Sequence, residues 1–376
     1  MKIVYTIAGT YRAAGMERVL ADKTAWLCSH GYEVVVVTTE QKGRPSAFEM
    51  DPSIRQVDLG IGYEDNNGKS FISKLLHFPF KQLKHRRRLS SLLKHEKADV
   101  VVSMFCNDES FLPKIKDGSK KVLEIHFSRF KRLQYGRKGI WALADKFRSS
   151  QDLKHIADFD RFVVLTDEDK TYWGSLPNIV VIKNSIAGRA DKPSPLDSKT
   201  VIAVGRLSYQ KSIDRLISAW KIVCDTLPSH GWTLRIVGDG EERNSLEKLA
   251  VELGIKDSVE FSGVVKDMDS VYDNASILAL SSRYEGLPMV LLEAQAHGVP
   301  SVSFACKCGP RDVITDGVNG LLVEEGDIDG LSKALCALMI SPDKLKEMGK
   351  ASYEDSVRWS RNNIMKQWDV LFKSLS

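Results

Sequence analysis

Long apolar runs are missing from this 376-residue sequence. No stretch approaches the roughly 20 consecutive apolar residues that a membrane-spanning helix needs. Residues 2–7 have the pattern of a first β-strand rather than of a signal peptide. We therefore expect a cytoplasmic protein without a membrane span.

Cysteine is also scarce, with six residues scattered along the chain. Only Cys306 and Cys308 lie close in sequence, and no second Cys or His pair accompanies them at zinc-ligand spacing. This spacing argues against a structural zinc site and predicts reduced thiols, as is usual in the cytoplasm.

Several catalytic motifs are absent. Gly60-x-Gly62 and Gly238-x-Gly240 lack the third glycine of a dinucleotide fingerprint. The sequence also has no Walker P-loop, no His-Glu-x-x-His and no Gly-x-Ser-x-Gly. These absences count against a dehydrogenase, a kinase, a zinc protease and a serine hydrolase.

The composition is that of a globular protein, with 43% hydrophobic and 27% charged residues, and the length allows two domains. The net charge of +5 is unevenly distributed, because residues 1–185 total +9 and the remainder totals −4. The basic first half is expected to meet an anionic partner.

Apolar strand patterns alternate with helical patterns along the whole chain. This alternation predicts an α/β protein with parallel strands and right-handed crossovers, in two Rossmann-like domains that face each other across a cleft. The expected domains are 1–187 and 188–358, with a linker composition at 188–195 and a helix from about 359 to 376 that crosses back onto the first domain. The predicted strands are Lys2–Ile7, Glu33–Thr38, Val100–Met104, Lys121–Ile125, Arg161–Leu165, Val201–Val204, Thr233–Val237, Val259–Phe261, Ile277–Leu280 and Ser301–Phe304.

Residues 281–298 form the most informative stretch. They come after the apolar strand Ile277–Leu280. A short loop contains Glu285 and Gly286, and a predicted helix, Pro288–His297, follows it. Proline suits the first turn of a helix, and the free amides of that turn can bind an anion. Two carboxylates, Glu285 and Glu293, flank this anion site, which suggests sugar-nucleotide chemistry.

Three further segments follow predicted strands, where ligands bind in open parallel sheets. Arg206 and Lys211 come after Val201–Val204, beside Gly205, and could neutralise a diphosphate. A glycine-containing turn at Gly15 leads into a helix start, although a plain strand–helix turn would look the same. His126 ends the strand Lys121–Ile125.

Two basic segments contain interleaved aromatic residues, at Phe78–Arg88 and Arg129–Arg148. A nucleic acid or an anionic membrane that bears a lipid-linked acceptor could bind there, and a merely solvated face is the alternative. The acidic run Asp167-Glu168-Asp169 is similar to metal-binding Asp-x-Asp motifs, but acids at a helix start explain it, so no metal is predicted.

Together these segments resemble the retaining GT-B glycosyltransferases of family 4. Glu285 and Glu293 have the spacing of the Glu-x7-Glu motif of that family, and Gly205–Lys211 is similar to its phosphate-binding segment. Gly15-Met16-Glu17-Arg18 is similar to its first-domain glycine loop, with Ala14 where a second glycine is common. The likeness is strong in the second half and weak from about 40 to 120, where acceptors are usually recognised.

The resemblance implies a role for each candidate. Arg206 and Lys211 would hold the donor diphosphate and stabilise the leaving nucleotide. Glu293 would bind the ribose hydroxyls and Glu285 the donor sugar, so the two are not a glycosidase acid–base pair. His126 would bond a sugar hydroxyl or support the anomeric centre. The implied donor-binding set is Glu293, Gly15, Gly205, Gly286, Leu287, Pro288 and Met289.

The resemblance thus implies a retaining, metal-independent, bacterial-type glycosyltransferase that needs no cofactor. It would use a nucleotide sugar, most simply a UDP-sugar, to extend a glycan or lipid-linked acceptor in surface polysaccharide synthesis, at the inner face of the plasma membrane. By this argument an anionic membrane ranks above nucleic acid as the partner of the basic segments, and no nucleic acid is expected. Two alternatives stay open: a GT-B nucleotide-sugar epimerase, and a non-enzymatic nucleic-acid-binding protein that uses the basic patch Lys81–Arg88.

Overall fold

A computed structural model describes residues 1–12, 14–66, 71–129, 150–229 and 231–376 of the chain. They divide into two compact units, one formed by Met1–Lys183 with Ile364–Ser376 and the other by Asn184–Asn363. The predicted domain limits, 187/188 and about 359, lie close to these divisions. Within the described ranges, no helix has both the length and the apolar character that crossing a membrane requires.

The described part of the first unit forms a seven-stranded parallel sheet in the order β3-β2-β1-β4-β5-β6-β7. Continuous buried runs of β-branched residues, such as the valines of β2, suit strands that are covered on both faces. The strands are β1 Lys2–Ile7, β2 Glu33–Thr38, β3 Arg55–Asp58, β4 Val100–Ser103, β5 Lys120–Glu124, β6 Arg161–Val164 and β7 Ile179–Val181.

Helices cover both faces of this sheet. One core contains Leu20 and Leu27 from α1 with Trp368 from the C-terminal helix, α11, and the other contains Leu89 and Leu93 from α2. The helices of this unit are α1 Gly15–Ser29, α2 Phe71–Glu96, α3 Asp167–Trp173 and α11 Arg361–Lys373, and residues 150–157 are helical as well.

The described part of the second unit forms a six-stranded parallel sheet in the order β10-β9-β8-β11-β12-β13. Its strands are β8 Thr200–Val204, β9 Thr233–Val237, β10 Val259–Gly263, β11 Ile277–Leu280, β12 Ser301–Phe304 and β13 Gly320–Val323. Its helices are α4 Ile213–Thr226, α5 Arg243–Glu252, α6 Met268–Asp273, α7 Met289–Ala296, α8 Pro310–Val313, α9 Ile328–Met339 and α10 Pro342–Asp355.

The prediction of two Rossmann-like parallel sheets is confirmed, and most predicted strands agree to within a residue or two. Three strands were not predicted, β3, β7 and β13, and each is an edge strand of three or four residues. Pro288 was expected inside the first helical turn, but it precedes the helix as its cap residue. The predicted linker is not loose, because Ala190 and Ser194 donate backbone hydrogen bonds to the carboxyl end of α7.

Candidate functional site

The carboxyl ends of β8 and β11 form the centre of the candidate site in the second unit. These strands are neighbours in the sheet, and the chain winds away from them in opposite directions. Ligands of open α/β sheets bind outside the carboxyl ends of the strands at such a switch point. The loops that follow β8 and β11 contain the predicted residues of 205–211 and 285–289.

Lys211 and Glu285 meet at this point. Lys211 Nζ lies 2.7 Å from Glu285 Oε1, and Ser282 Oγ donates to the same oxygen at 2.6 Å. The Glu285 side chain is 7% exposed and that of Lys211 is 19% exposed, so the pair is reached by solvent from the lysine side. The structure therefore pairs two residues that the resemblance assigned separately to the diphosphate and to the sugar.

Glycines allow the loop that holds Lys211 to pack closely. Gly205 has a φ of +151°, and a Cβ there would lie 3.1 Å from Lys211 Cε. A Cβ at Gly238 would lie only 2.0 Å from the carbonyl oxygen of Gly205. Only residues without a side chain fit such a close approach. Gly238-x-Gly240, which lacks the dinucleotide fingerprint, therefore serves to hold the loop after β8.

The loop at 285–289 is held by residues of the segment that follows β12. Glu285 N donates to Lys307 O at 3.0 Å, and a Cβ at Gly309 would lie 2.3 Å from Pro288 Cδ. The helix α7 then begins at Met289, and the first amides of a helix have no acceptor within the helix. Gly286, Leu287, Pro288 and Met289 thus form a fixed loop and helix start beside the Lys211–Glu285 pair.

Two other predicted site residues, Glu293 and Arg206, contact side chains other than Lys211 and Glu285. Tyr272 OH donates to Glu293 Oε2 at 2.7 Å, and the Tyr272 ring stacks on His297 with 5.3 Å between the centroids. Arg206 is 74% exposed at its side chain and lies 3.0 Å from Glu241 Oε2. Arg206 therefore shares a loop with Lys211 but pairs with a different carboxylate.

His126 and Gly15 belong to the first unit. His126 lies two residues beyond β5 with a side chain that is 7% exposed, and its Nε2 lies 3.0 Å from Glu124 Oε1. Gly15 begins α1 and is exposed, and a Cβ there would meet none of the described residues within 4 Å. The packing of the described residues therefore does not require a glycine at position 15.

The sequence reasoning missed Lys23 and Glu124, which form a buried ion pair behind His126. Lys23 lies in the apolar stripe of α1 and is 5% exposed, while Glu124 ends the buried strand β5 and is 1% exposed. A charged residue of each sign at otherwise apolar positions was the available signal, since such residues are almost never buried alone.

The acidic run 167–169 is explained by the start of α3. Thr166 Oγ1 caps this helix by accepting a hydrogen bond from Asp169 N at 3.0 Å, and Asp169 Oδ2 accepts from Trp173 Nε1 at 2.9 Å. In the described part of the chain, no three His, Cys, Asp or Glu side chains form a group that could hold a metal ion.

The second basic segment lies mostly outside the described residues. The aromatic residues predicted for it, Phe130, Tyr135, Trp141 and Phe147, are among those that the structure does not describe. Its first residue, Arg129, donates from its guanidinium to the carbonyl oxygen of Tyr172 and from its backbone to Asp169. Arg129 therefore stabilises the neighbourhood of α3.

Comparison with known proteins identifies the second unit. Residues 185–355 match the model of the family described as Glycosyl transferases group 1. A Haemophilus influenzae protein named as an uncharacterized glycosyltransferase is 29% identical over 372 residues, which cover 98% of each chain. A Campylobacter jejuni protein is 27% identical over 375 residues, and the match covers 98% of this chain and 97% of the Campylobacter protein. It is named a GalNAc-alpha-(1->4)-GalNAc-alpha-(1->3)-diNAcBac-PP-undecaprenol alpha-1,4-N-acetyl-D-galactosaminyltransferase.

A solved structure matches the fold over the whole chain. The crystal structure of a variant of S. aureus TarM, in complex with Fondaparinux, alpha-GlcNAc-glycerol and UDP, has a TM-score of 0.79 and 15% identity. The match covers 99% of both chains. This likeness shows the fold and confirms the predicted GT-B class, and the family match confirms the resemblance to glycosyl transferases group 1 for residues 185–355. The assignment to family 4 and the retaining course stay predictions.

Proposed function

We propose that this chain, whose second unit is a domain of the glycosyl transferases group 1 family, transfers a sugar from a nucleotide diphosphate donor to a glycan or lipid-linked acceptor. The proposed reaction retains the configuration of the sugar and uses no metal ion. The observation that supports it best is the meeting of Lys211 and Glu285 at the switch point of the second sheet. A cation beside a carboxylate suits a ligand with an anionic diphosphate and a hydroxyl-rich sugar.

Lys211 is the proposed contact for the diphosphate. Its ammonium has three donors, and Glu285 Oε1, at 2.7 Å, takes one of them. The other two can meet phosphate oxygens while Glu285 keeps the ammonium in place. As the bond to the sugar breaks, negative charge grows on the leaving phosphate, and a cation that is already held there stabilises it. Arg206 adds a second cation from the same loop.

Glu285 and Glu293 are proposed to accept hydrogen bonds from hydroxyls at the two ends of the donor. Glu293 would bind the ribose, with its carboxylate oriented by Tyr272. In the first unit, His126 would bond a sugar hydroxyl and the amides near Gly15 a phosphate or acceptor. The UDP in the TarM complex supports a UDP-sugar as the donor class.

The test of this proposal is a donor screen. UDP-, GDP- and ADP-sugars would each be incubated with the protein in EDTA, with and without a lipid-linked glycan acceptor, and proton NMR would report the configuration of the new linkage. We expect transfer from a UDP-sugar with retention. Inversion, a strict metal requirement, epimerised donor without acceptor, or no consumption of any donor would each contradict a part of the proposal.

We propose further that the acceptor is reached at an anionic membrane surface through α2. Leu76, Phe80 and Leu83 are 61%, 75% and 45% exposed and lie at i, i+4 and i+7, hence on one helix face. The exposed cations Arg86 and Arg87 come about one helical turn after Leu83. An apolar face beside cations suits a helix that lies in the membrane interface. The undecaprenol-linked acceptor in the name of the Campylobacter relative supports the same idea.

Flotation with vesicles that contain an anionic phospholipid tests this second step. Arg86→Glu with Arg87→Glu should abolish most of the binding, and Phe80→Ser should weaken it. The matched control is Lys344→Glu with Lys346→Glu on α10, which changes the net charge equally on exposed lysines of the second unit. Equal loss in both double variants would mean that α2 has no special role.

A further inference from the structure

The end of β5 carries a chain of buried polar groups in the first unit. Lys23 from α1 contacts Glu124 Oε1, and the same oxygen lies 3.0 Å from His126 Nε2. The three side chains are 5%, 1% and 7% exposed. Glu124 thus meets α1 through Lys23, and His126, two residues further along the chain, contacts the same carboxylate oxygen.

The buried Lys23–Glu124 pair is expected to contribute little net stability to the fold. Removing two charges from water costs several kcal/mol per ion, and a well-packed apolar pair often does as well or better. The surroundings are apolar, since the same core contains Leu20, Val122 and Trp368. A pair of this kind is therefore better explained by what it does to a neighbour, and the neighbour in contact is His126.

Glu124 has a lowered pKa, and Lys23 has a favourable contact on each of two sides. Burial alone would raise the pKa of Glu124, but the Lys23 ammonium and the adjacent His126 imidazole outweigh it and lower the pKa to about 2. Burial lowers the pKa of Lys23, and the attraction of Glu124 opposes this. The Lys23 ammonium also lies 3.8 Å from the centroid of the Trp368 ring, a favourable cation–π contact from α11.

His126 itself is not fully satisfied. Both ring nitrogens are buried, and within the described residues neither makes a hydrogen bond of normal geometry. The charged groups that act on it are Glu124, with Lys23 behind, and Glu17 from the first turn of α1. Because Nε2 is the nitrogen that lies against Glu124, Nδ1 is the ring nitrogen left for a substrate hydroxyl.

We propose that Glu124, with its charge held by Lys23, is a positioning residue for His126. The carboxylate lies 3.0 Å from Nε2 and so favours the tautomer with the hydrogen on that nitrogen, which makes Nδ1 an acceptor for a hydroxyl of the bound sugar or acceptor. A carboxylate behind a histidine fixes both the tautomer and the ring orientation in the same way at other functional sites. The inference rests on the proposed function, in which His126 bonds a substrate hydroxyl.

Glu124→Gln tests this inference, because it removes the charge and keeps the shape. We expect kcat to fall by about 10- to 100-fold, as is typical when an orienting partner is lost, with KM for the donor changed less than threefold. Glu124→Asp, which restores a carboxylate, should recover part of kcat. In protein labelled with 15N-histidine, the His126 signals should change from one tautomer to a mixture, with assignment by His126→Gln.

Asp117→Asn is the matched control. Asp117 Oδ1 lies 2.5 Å from Lys121 Nζ, and these side chains are 0% and 5% exposed, so this is a second buried pair in the same unit without His126. It should lower the stability while leaving kcat and the His126 signals unchanged. If Glu124→Gln behaves like Asp117→Asn in all three measurements, the inference is wrong. If the wild-type protein transfers no sugar, the proposed function fails, and the 15N signals still decide the tautomer.

Discussion

Two of the lysine–glutamate pairs of this protein, one in each unit, differ in how deeply they are buried. Lys211 and Glu285 lie at the mouth of the second sheet with 19% and 7% of their side chains exposed, whereas Lys23 and Glu124 are 5% and 1% exposed inside the first unit. The outer pair joins two loops that follow strands, and the inner pair joins the middle of a helix to the last residue of a strand.

This difference separates two uses of the same ion pair. At the carboxyl edge of the second sheet, water reaches Lys211. The pair can therefore separate, or Lys211 can share its donors with a ligand, at a modest cost in free energy. In the interior, neither partner can be lost without leaving a charge in an apolar surrounding. The outer pair is therefore suited to binding, and the inner pair to holding a fixed charge near His126.

Lys23→Ala should have the largest effect on stability, because it leaves the Glu124 charge buried without its partner. We expect the free energy of unfolding to fall by about 3–5 kcal/mol, measured by urea denaturation. Lys23→Met combined with Glu124→Leu should recover most of this loss. A double variant as unstable as Lys23→Ala would mean that packing, rather than charge, dominates at this site.

Lys211→Ala should have the largest effect on catalysis. Losing a positioned cation opposite a leaving phosphate should reduce kcat by about 10²–10³, equivalent to about 2.7–4 kcal/mol. Because solvent reaches this lysine and Ser282 still donates to Glu285, its removal should destabilise the fold less than Lys23→Ala does. Lys221→Ala, on the outer surface of α4 and paired with Asp225, is the control and should leave turnover unchanged. Turnover of Lys211→Ala within a few fold of wild type would refute the diphosphate role.

Acid should weaken the inner pair. The pKa of Glu124 is about 2 in the folded protein, below the ~4.3 of an unfolded chain. The contribution of Glu124 to the free energy of unfolding is therefore complete above about pH 5. It is lost as the pH falls towards 2, by about 3 kcal/mol in total. The Lys23→Met, Glu124→Leu variant should show a shallower decline of the unfolding free energy over this range. Parallel curves would contradict the depressed pKa.

Substitutions at two glycines should have the smallest effects. They distinguish a glycine needed for packing from one needed for the approach of a ligand. Gly205→Ala should push on Lys211 Cε and adopt an unfavourable φ, so we expect about a tenfold loss of kcat, near 1.4 kcal/mol. Gly15→Ala should leave the unfolding free energy within about 0.5 kcal/mol, because its Cβ would contact no residue in the part of the chain that the structure describes. Any rise in KM for Gly15→Ala would then report the approach of a ligand to α1. An unchanged KM would remove Gly15 from the site.

The two sheets were predictable because their central strands are continuous apolar runs. The edge strand β3, Arg55–Asp58, has only one apolar residue, and its pairing with β2 is decided by the sheet that it joins. The helix α2 was noticed only as a basic segment, since Pro79 and the run Arg86–Arg88 obscure its pattern. Burial of His85, Leu89 and Leu93 on its inner face explains why it forms nevertheless.

The amino-acid sequence by itself determined which residues follow each strand, and in parallel sheets that is enough to bring Gly205–Lys211 and Glu285 to one edge. Only the tertiary structure decided that Lys211 and Glu285 contact each other, and that Lys23 meets Glu124 across 101 residues of chain. The physical reason is that strand ends share an edge by topology, whereas a contact between side chains depends on which helix face packs on which strand. For Lys23, that choice also places Trp368 of the C-terminal helix against its ammonium.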